Sequence, residues 1–437
     1  MASDLASLLR CLRCGGAITP GLDAFQCAAC GHSIAVVDEV LQVRDPDEDL
    51  SITRERQAVQ AIEQTRDHLP PDATEFSHSR LLAGPCPLRT AFLSLPYDDG
   101  SAFFRSDQYF HNVAQWASAF DFIVDRLGLP GGSRVLDLGA DLTWSTARLA
   151  QRGWRAVGID INHHLTAHRV FRDAGIDFSV ANVDMHLPVF RDAVFDGITA
   201  FNALHHSHRL GLLIANVSRM LRPGGRLGFI EPYWYWESAR EAFGVAEIEA
   251  GINENVYRLE EWHAALVNNG FELLHCSVGN AFLAVYERIG PDALRHITTE
   301  QARDEVFEPF YRSKLVLAGS DQLHLVKGGT GYLPVRIHNL SARTWSERSQ
   351  VPIRLSYHLR PETPGDPAAT VHPREGGRTE IGGELHPGDE RVVHLRVDAP
   401  ETPGRYVLDV DLLMEGVTWF AGRQQPTVRA LLDVAAE

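Results

Sequence analysis

Lysine is nearly missing from this 437-residue chain: of 41 basic residues only Lys314 and Lys327 are lysine. With abundant alanine and glycine, that bias reads as the codon usage of a GC-rich genome, so the arginines are no sign of a phosphate partner. An excess of positive charge is missing too. The formal net charge is −16, which repels phosphate backbones and speaks against a nucleic-acid partner. No apolar run approaches the roughly 18 residues that cross a bilayer. The opening MASDLASLLRCLRCGG has no basic segment followed by an apolar one, so no signal peptide and no membrane association are expected, and the cytoplasm is the simplest location. Disorder is not expected either, since 44% of residues are hydrophobic and 22% charged, the balance of globular proteins.

Cysteine is scarce but clustered. Four of the six cysteines fall between positions 11 and 30, as Cys11-Leu-Arg-Cys14-Gly-Gly and Cys27-Ala-Ala-Cys30-Gly-His. Each Cys-x-x-Cys-Gly can turn tightly enough to converge two thiolates, with amide N–H groups aimed at sulfur. Two such knuckles supply the four soft ligands of a tetrahedral Zn²⁺. All positions are filled by protein, so Cys11, Cys14, Cys27 and Cys30 predict a structural zinc ribbon. Short strands are expected at Ala24-Phe25-Gln26 and within Ser33 to Val43, whereas Cys86 and Cys276 read as ordinary thiols.

A domain commonly holds about 100–200 residues, so several are expected. Residues 1–45 form the ribbon. Residues 46–108 read as a linker, with an acidic, proline-containing hinge, a polar helix carrying Val59 and Ile62 on one side, and an irregular connector. From 109 to 312 the pattern becomes α/β. A helix from Tyr109 to Leu127 carries Val113, Trp116, Phe120, Ile123, Val124 and Leu127 at helical spacing. Strands follow at 134–138, 156–159, 177–180, 195–201 and 226–230, with helices between them. Such alternation requires crossovers and a mostly parallel sheet. A helix at 259–268 and strands at 271–278 and 281–286 close it. Residues 313–437 turn to short alternating strands, among them Val351, Ile353, Leu355, Tyr357 and Leu359, the pattern of an antiparallel sandwich.

Ligands of open α/β sheets lie at the carboxyl ends of the strands. Asp137 and Gly139 end the first strand, and Thr143 to Ser145 open the next helix, whose amides favour a carboxylate. Asp160 ends the second strand, placed to bind both hydroxyls of a ribose. Asp184 ends the third, placed to take an adenine amino group. The Gly-x-Gly-x-x-Gly approach that a dinucleotide's pyrophosphate needs is absent.

These residues resemble the class I S-adenosylmethionine-dependent methyltransferases, of the type 11-like group. The matching pieces are VLDLG (135–139), VGID (157–160), NVDMHLP with FDGITAFNALHH (182–206), RMLRPGGRL (219–227) and YRLEEWHAALVNNGFELL (257–274). The resemblance implies a Rossmann-like fold and a cofactor set of Asp137, Gly139, Asp141, Thr143, Asp160, Ile161, Asp184, Met185 and Asn202. One stretch departs from the family: its Gly-x-Gly-x-Gly loop is here Gly139-Ala-Asp141-Leu-Thr143. Asp141 there would repel the cofactor's carboxylate or meet its ammonium group, and the second role is the expectation.

Methyl transfer to a hydroxyl needs a base near the in-line nucleophile. His205, His206 and Glu231 are the candidates, near Asn202 and His208; the histidine spacing gives no metal-ligand set. The run Tyr233-Trp-Tyr-Trp236, with Glu237 and Glu241, is either the wall of an acceptor pocket or a packing face. The C-terminal segment resembles immunoglobulin-like modules of bacterial glycan-biosynthesis enzymes, with Trp345 and Trp419 read as core residues. The expected activity is methyl transfer to a sugar, nucleotide-sugar or other small polar acceptor. The alternatives are an RNA methyltransferase and a non-catalytic scaffold with a degenerate cofactor site. The ribbon and the sandwich are the candidate surfaces for a protein partner.

Overall fold

The computed structural model describes residues 2–45, 47–66, 76–97, 113, 116–233, 244–279, 281–290, 293–347, 349–362 and 374–436. The chain divides into two compact units, Met1–Cys276 with Ala281–Thr299 and Ser277–Asn280 with Glu300–Glu437. The boundaries expected at 45 and 108 are therefore not boundaries between compact units, and the last division falls near 300 rather than at 313.

The first unit is built on one eleven-stranded sheet. Its centre is β5 (Arg134–Leu138), flanked on one side by β6 (Arg155–Asp160) and β7 (Ser179–Asn182), and on the other by β8 (Phe195–Phe201) and β9 (Leu221–Glu231). All four junctions are parallel. These strands read as continuous apolar runs because both faces are covered, and β5 buries Val135 through Leu138. An antiparallel strand, β11 (Phe282–Arg288), pairs with β9, and β10 (Phe271–Val278) lies outside it. The helix over this half is Ala117–Leu127, burying Phe120, Ile123, Val124 and Leu127 at the spacing expected from sequence. Of its expected start at Tyr109, residues 109–112, 114 and 115 lie outside the described residues, as do 234–243 with most of the aromatic run.

The cysteine segment does not stand apart. Its strands β1 (Ile18–Thr19), β2 (Ala24–Cys27), β3 (Ser33–Val37) and β4 (Val40–Gln42) form an antiparallel meander. Then β4 pairs in parallel with β7, Leu41 opposite Ala181 and Gln42 opposite Asn182. The physical reason lies at the sheet edge. Strand β7 would otherwise present unpaired amides and carbonyls, and β4 covers them with Val40, Leu41 and Val43 buried.

The segment expected as a linker also becomes part of the unit. Helix α2 (Leu50–Arg66) buries Ile52, Glu55, Ala58 and Glu63, while Val59 and Ile62 are only half-buried. Val59 and Ile62 share one side of the helix with Ile52, Glu55 and Glu63, the side that lines the cavity described below. The buried face carries two carboxylates because it borders a polar chamber.

The second unit is rich in β-structure. Ser313–Leu317, Thr330–Asn339 and Glu390–Asp398 form a three-stranded antiparallel sheet. A larger sheet runs in the order Gln322–Val326, Val428–Ala435, Gly404–Met414, Ile353–Pro361 and Arg374–Glu375. The period-two pattern holds along Glu390–Asp398, with Val393, Leu395 and Val397 buried, whereas Gly404–Met414 is covered on both faces, with Val407, Leu408, Val410, Asp411, Leu412 and Leu413 all buried. Trp345 is fully buried, its indole N–H donating to the Phe310 carbonyl at 3.1 Å. Trp419 is half-buried, with the His358 ring 4.1 Å away between centroids and the Arg378 guanidinium 5.2 Å from its own ring centre. No helix among the described residues is long and apolar enough to cross a membrane.

Candidate functional site

A cavity of about 430 Å³ opens at the carboxyl ends of β5, β6, β7 and β8, where the strand order reverses. Its size falls within the range of small-molecule sites. Of the expected cofactor set, Gly139, Asp141, Asp160, Ile161, Asp184, Met185 and Asn202 line it. Gly139 sits at φ +67° where a Cβ would lie 2.2 Å from that of Ala203, so only glycine fits.

Asp160 is held by its own loop. It accepts from the Asp141 amide at 2.9 Å and the Asn162 amide at 3.0 Å. Burial, reinforced by the nearby Asp141 charge, pushes its carboxyl up to about 6. Asp141, at φ +39°, accepts from Asn162 Nδ2 at 3.1 Å and lies 2.6 Å from His164 Nδ1. Burial alone would discharge His164, but Asp141 and Glu63 outweigh it and hold the imidazolium up to about 10. The departure from the family loop is therefore tied into a network reaching α2. Asp184 accepts from both the amide and Nδ1 of His186, which holds its carboxyl below the usual range despite burial. The far nitrogen of His186 is 2.6 Å from Ser207 Oγ.

Two members of the expected set do not reach the cavity. Asp137 is buried beneath it, accepting from the hydroxyls of Ser145, Thr146 and Thr199 at 2.6, 2.7 and 2.9 Å. Burial lifts its carboxyl to about 6 even so. Through these three bonds it ties β5 to β8 and to the helix Trp144–Gln151. Thr143 begins that helix at φ +64°, fully buried, with its hydroxyl making no hydrogen bond.

The expected catalytic group is redistributed. Glu231 is fully buried and accepts from the amides of Ala203, Leu204 and His205, and from His205 Nδ1 at 2.7 Å. It caps the short helical turn Leu204–His206 through these bonds. His205 is buried, with Nε2 3.1 Å from Glu254 Oε2. Burial disfavours its charge, but the two glutamates lift it to about 9. His206 does line the cavity, with Nδ1 3.2 Å from Glu55 Oε1. His208 turns to Asp49 instead.

Sequence reasoning missed the cavity's outer wall. Ile52, Glu55, Val59, Ile62, Glu63 and Arg66 of α2 line it, as does Glu254. Their three- and four-residue spacing is visible in the sequence, but a stripe alternating apolar and charged residues does not register as an amphipathic helix.

The four ribbon cysteines meet as expected. Cys11 and Cys30 Sγ are 3.7 Å apart and Cys14 and Cys27 Sγ 3.4 Å apart. Thiolates about 2.3 Å from a tetrahedral ion stand about 3.8 Å from one another, so the cluster can hold a metal. The amides of Cys30 and Ala29 draw the Cys27 thiol down to about 6. A Cβ on Gly16 would come within 3.0 Å of Cys27 Sγ and 3.2 Å of Cys14 Sγ, so that glycine makes room for the sulfurs.

Residues 108–276 match the family model described as a methyltransferase domain. The first unit thus contains a class I S-adenosylmethionine-dependent methyltransferase domain. Among similar proteins, a sterol 24-C-methyltransferase of Gibberella zeae is 27% identical over 165 residues, covering 35% of this chain and 43% of its own. A demethylmenaquinone methyltransferase of Corynebacterium glutamicum is 35% identical over 106 residues, covering 24% and 44%. An S-adenosyl-L-methionine-dependent Diels-Alderase of Talaromyces variabilis is 32% identical over 111 residues, covering 24% and 38%. The chain spans less than half the length of these relatives. A solved geranyl diphosphate C-methyltransferase of Streptomyces coelicolor A3(2) aligns with TM-score 0.38 and 18% identity, over 46% of this chain and 88% of that one.

Proposed function

We propose that the first unit binds S-adenosylmethionine in the cavity and transfers its methyl group to a small acceptor entering beside α2. The observation that carries this reading is the convergence of Gly139, Asp141, Asp160, Asp184 and Asn202 on one chamber. In this reading Asp160 takes the ribose hydroxyls, Asp184 the adenine amino group, and Asp141 the ammonium group. Charge supports it. Glu55, Glu63, Asp141, Asp160, Asp184 and Glu254 face the chamber against Arg66 and the His164 imidazolium, an environment suited to a sulfonium cation. The same field disfavours an acceptor bearing bare phosphates, so an RNA acceptor is the weaker reading; a neutral sugar or other small metabolite suits it.

Zinc is the ion proposed for the four cysteines, in a structural role, and their need for free thiols suits a reducing compartment such as the cytoplasm. The second unit is read as immunoglobulin-like. The Tyr406 hydroxyl donates to the Thr402 carbonyl at 2.7 Å at the start of Gly404–Met414, the arrangement of a tyrosine corner.

A second reading, cofactor binding without methyl transfer, is favoured by the Diels-Alderase relative and by a His205 whose two ring nitrogens are engaged by Glu231 and Glu254. Calorimetry with S-adenosylmethionine and S-adenosylhomocysteine tests both readings, followed by labelled methyl transfer to a panel of sugars and phenols. Binding of both with methylated product supports the first reading. Binding without product supports the second, and binding of neither defeats both.

A further inference from the structure

The acceptor side of the chamber holds a cluster for which the proposed methyl transfer has no use. His205, His206 and Glu254 each offer a ligand atom, and these atoms all lie within 4.8 Å of one another. We propose that they form a second metal site, for a first-row divalent transition metal, with Glu55 beside it and open positions facing the chamber.

The donors meet as ion pairs, His205 with Glu254 and His206 with Glu55, and atoms of His205, His206 and Glu254 are close enough to one another to serve as metal ligands. The Nδ1 of His205 is engaged by buried Glu231 at 2.7 Å, which orients the ring and presents Nε2 towards Glu254 at 3.1 Å. A carboxylate behind an imidazole is the usual support of a metal-bound histidine. Glu254 Oε2 is buried with His205 Nε2 as its close partner, and His206 Nδ1 is buried 3.2 Å from Glu55 Oε1. Glu55 is itself oriented, its other oxygen accepting from Asn253 Nδ2 at 2.7 Å. Buried donor atoms this close to one another need a proton or a cation between them, and one cation would serve all of them. Two imidazoles and a carboxylate suit zinc, iron or cobalt better than magnesium or calcium, and three protein ligands leave positions for an exogenous one.

His206 and Glu254 line the same chamber as Asp160 and Asp184. Given methyl transfer in that chamber, the metal's open positions select acceptors that ligate through oxygen, such as a hydroxyl beside a carbonyl or a second hydroxyl. Sequence spacing could not show the set, because Glu254 joins from 48 positions beyond His206 and His208 points elsewhere.

The test is a Co²⁺ titration of the full chain with its cysteine site already filled with zinc. One further equivalent is expected, with visible ligand-field bands and no thiolate-to-cobalt charge transfer. Glu254→Gln and His206→Gln should each weaken it at least tenfold, and circular dichroism checks that each has folded. No added equivalent in the wild type, a spectrum showing thiolate ligation alone, or wild-type affinity in both variants would overturn the proposal. Calorimetry with S-adenosylmethionine on the same samples separates the two ideas. Cobalt bound without cofactor leaves the metal site standing and removes the methyl-transfer reading; cofactor bound without cobalt does the reverse.

Discussion

Replacing Asp141 with glycine restores the loop pattern common among related methyltransferases, and its effect can be worked out from the residues around it. Asp141 sits at φ +39°, a region costing a non-glycine residue roughly 1–2 kcal/mol. Glycine relieves that strain, but loses up to about 1 kcal/mol through the greater freedom of the unfolded chain. It also removes the acceptor for Asn162 and for the His164 imidazolium, and bonds to charged groups contribute about 1.5–3 kcal/mol each. The expected net change is a destabilisation of roughly 1–6 kcal/mol, read by thermal unfolding. Binding should change as well. If Asp141 holds the cofactor's ammonium group, Asp141→Gly weakens S-adenosylmethionine by about 1–3 kcal/mol, roughly 5- to 150-fold in Kd. S-adenosylhomocysteine carries the same ammonium and should lose as much. Methylthioadenosine lacks the amino-acid end and should bind both proteins alike. Calorimetry with the three ligands decides the matter. Tighter binding of S-adenosylmethionine by the glycine variant would refute the assignment, and an equal loss for methylthioadenosine would show that the loop, not the ammonium contact, had been damaged.

Three further outcomes are expected. Cofactor affinity should fall with acid: free Asp160 titrates near 6 and the bound state needs its carboxylate ionised, so affinity is full above pH 7 and about tenfold weaker at pH 5, whereas a weaker-binding Asp160→Asn protein shows no such step in calorimetry. Gly139→Ala places a methyl group 2.2 Å from Ala203 Cβ at a positive φ, so roughly 2–4 kcal/mol of stability should be lost, and a melting curve matching wild type would contradict the crowding between this turn and Ala203. Metal analysis of protein handled without chelator should find one equivalent of zinc at the cysteines; Cys14→Ser should release it and, because β4 pairs with β7, also lower the unfolding temperature of the first unit, an expectation that an unchanged melt would remove.

What the amino-acid sequence determined by itself was local or periodic. The Cys-x-x-Cys pairs brought four thiols together because each knuckle is closed within a few residues. The strands at 134–138 and 195–201 were legible because an apolar run bounded by glycine and charge has few alternatives, and Asp160 and Asp184 follow from the ends of such strands. Alternation in the second unit was legible for the same reason, since period two sorts Val393, Leu395 and Val397 to one face. Tertiary structure decided everything that depends on which element closes which edge. Nothing local shows that β4 completes the sheet beside β7, or that α2, polar by composition, buries Glu55 and Glu63 against the chamber. The fates of Asp137 and Glu231 were hidden likewise. Both are carboxylates at strand ends, where ligands bind, yet hydroxyls from Ser145, Thr146 and Thr199 consume one and the amides of Ala203 to His205 consume the other. A carboxylate's chemistry is set by what fills its lone pairs, and those partners lie between 8 and 62 residues away in the chain for Asp137 alone. Glu254 meets His205 and His206 by the same long-range closure, which no spacing rule encodes.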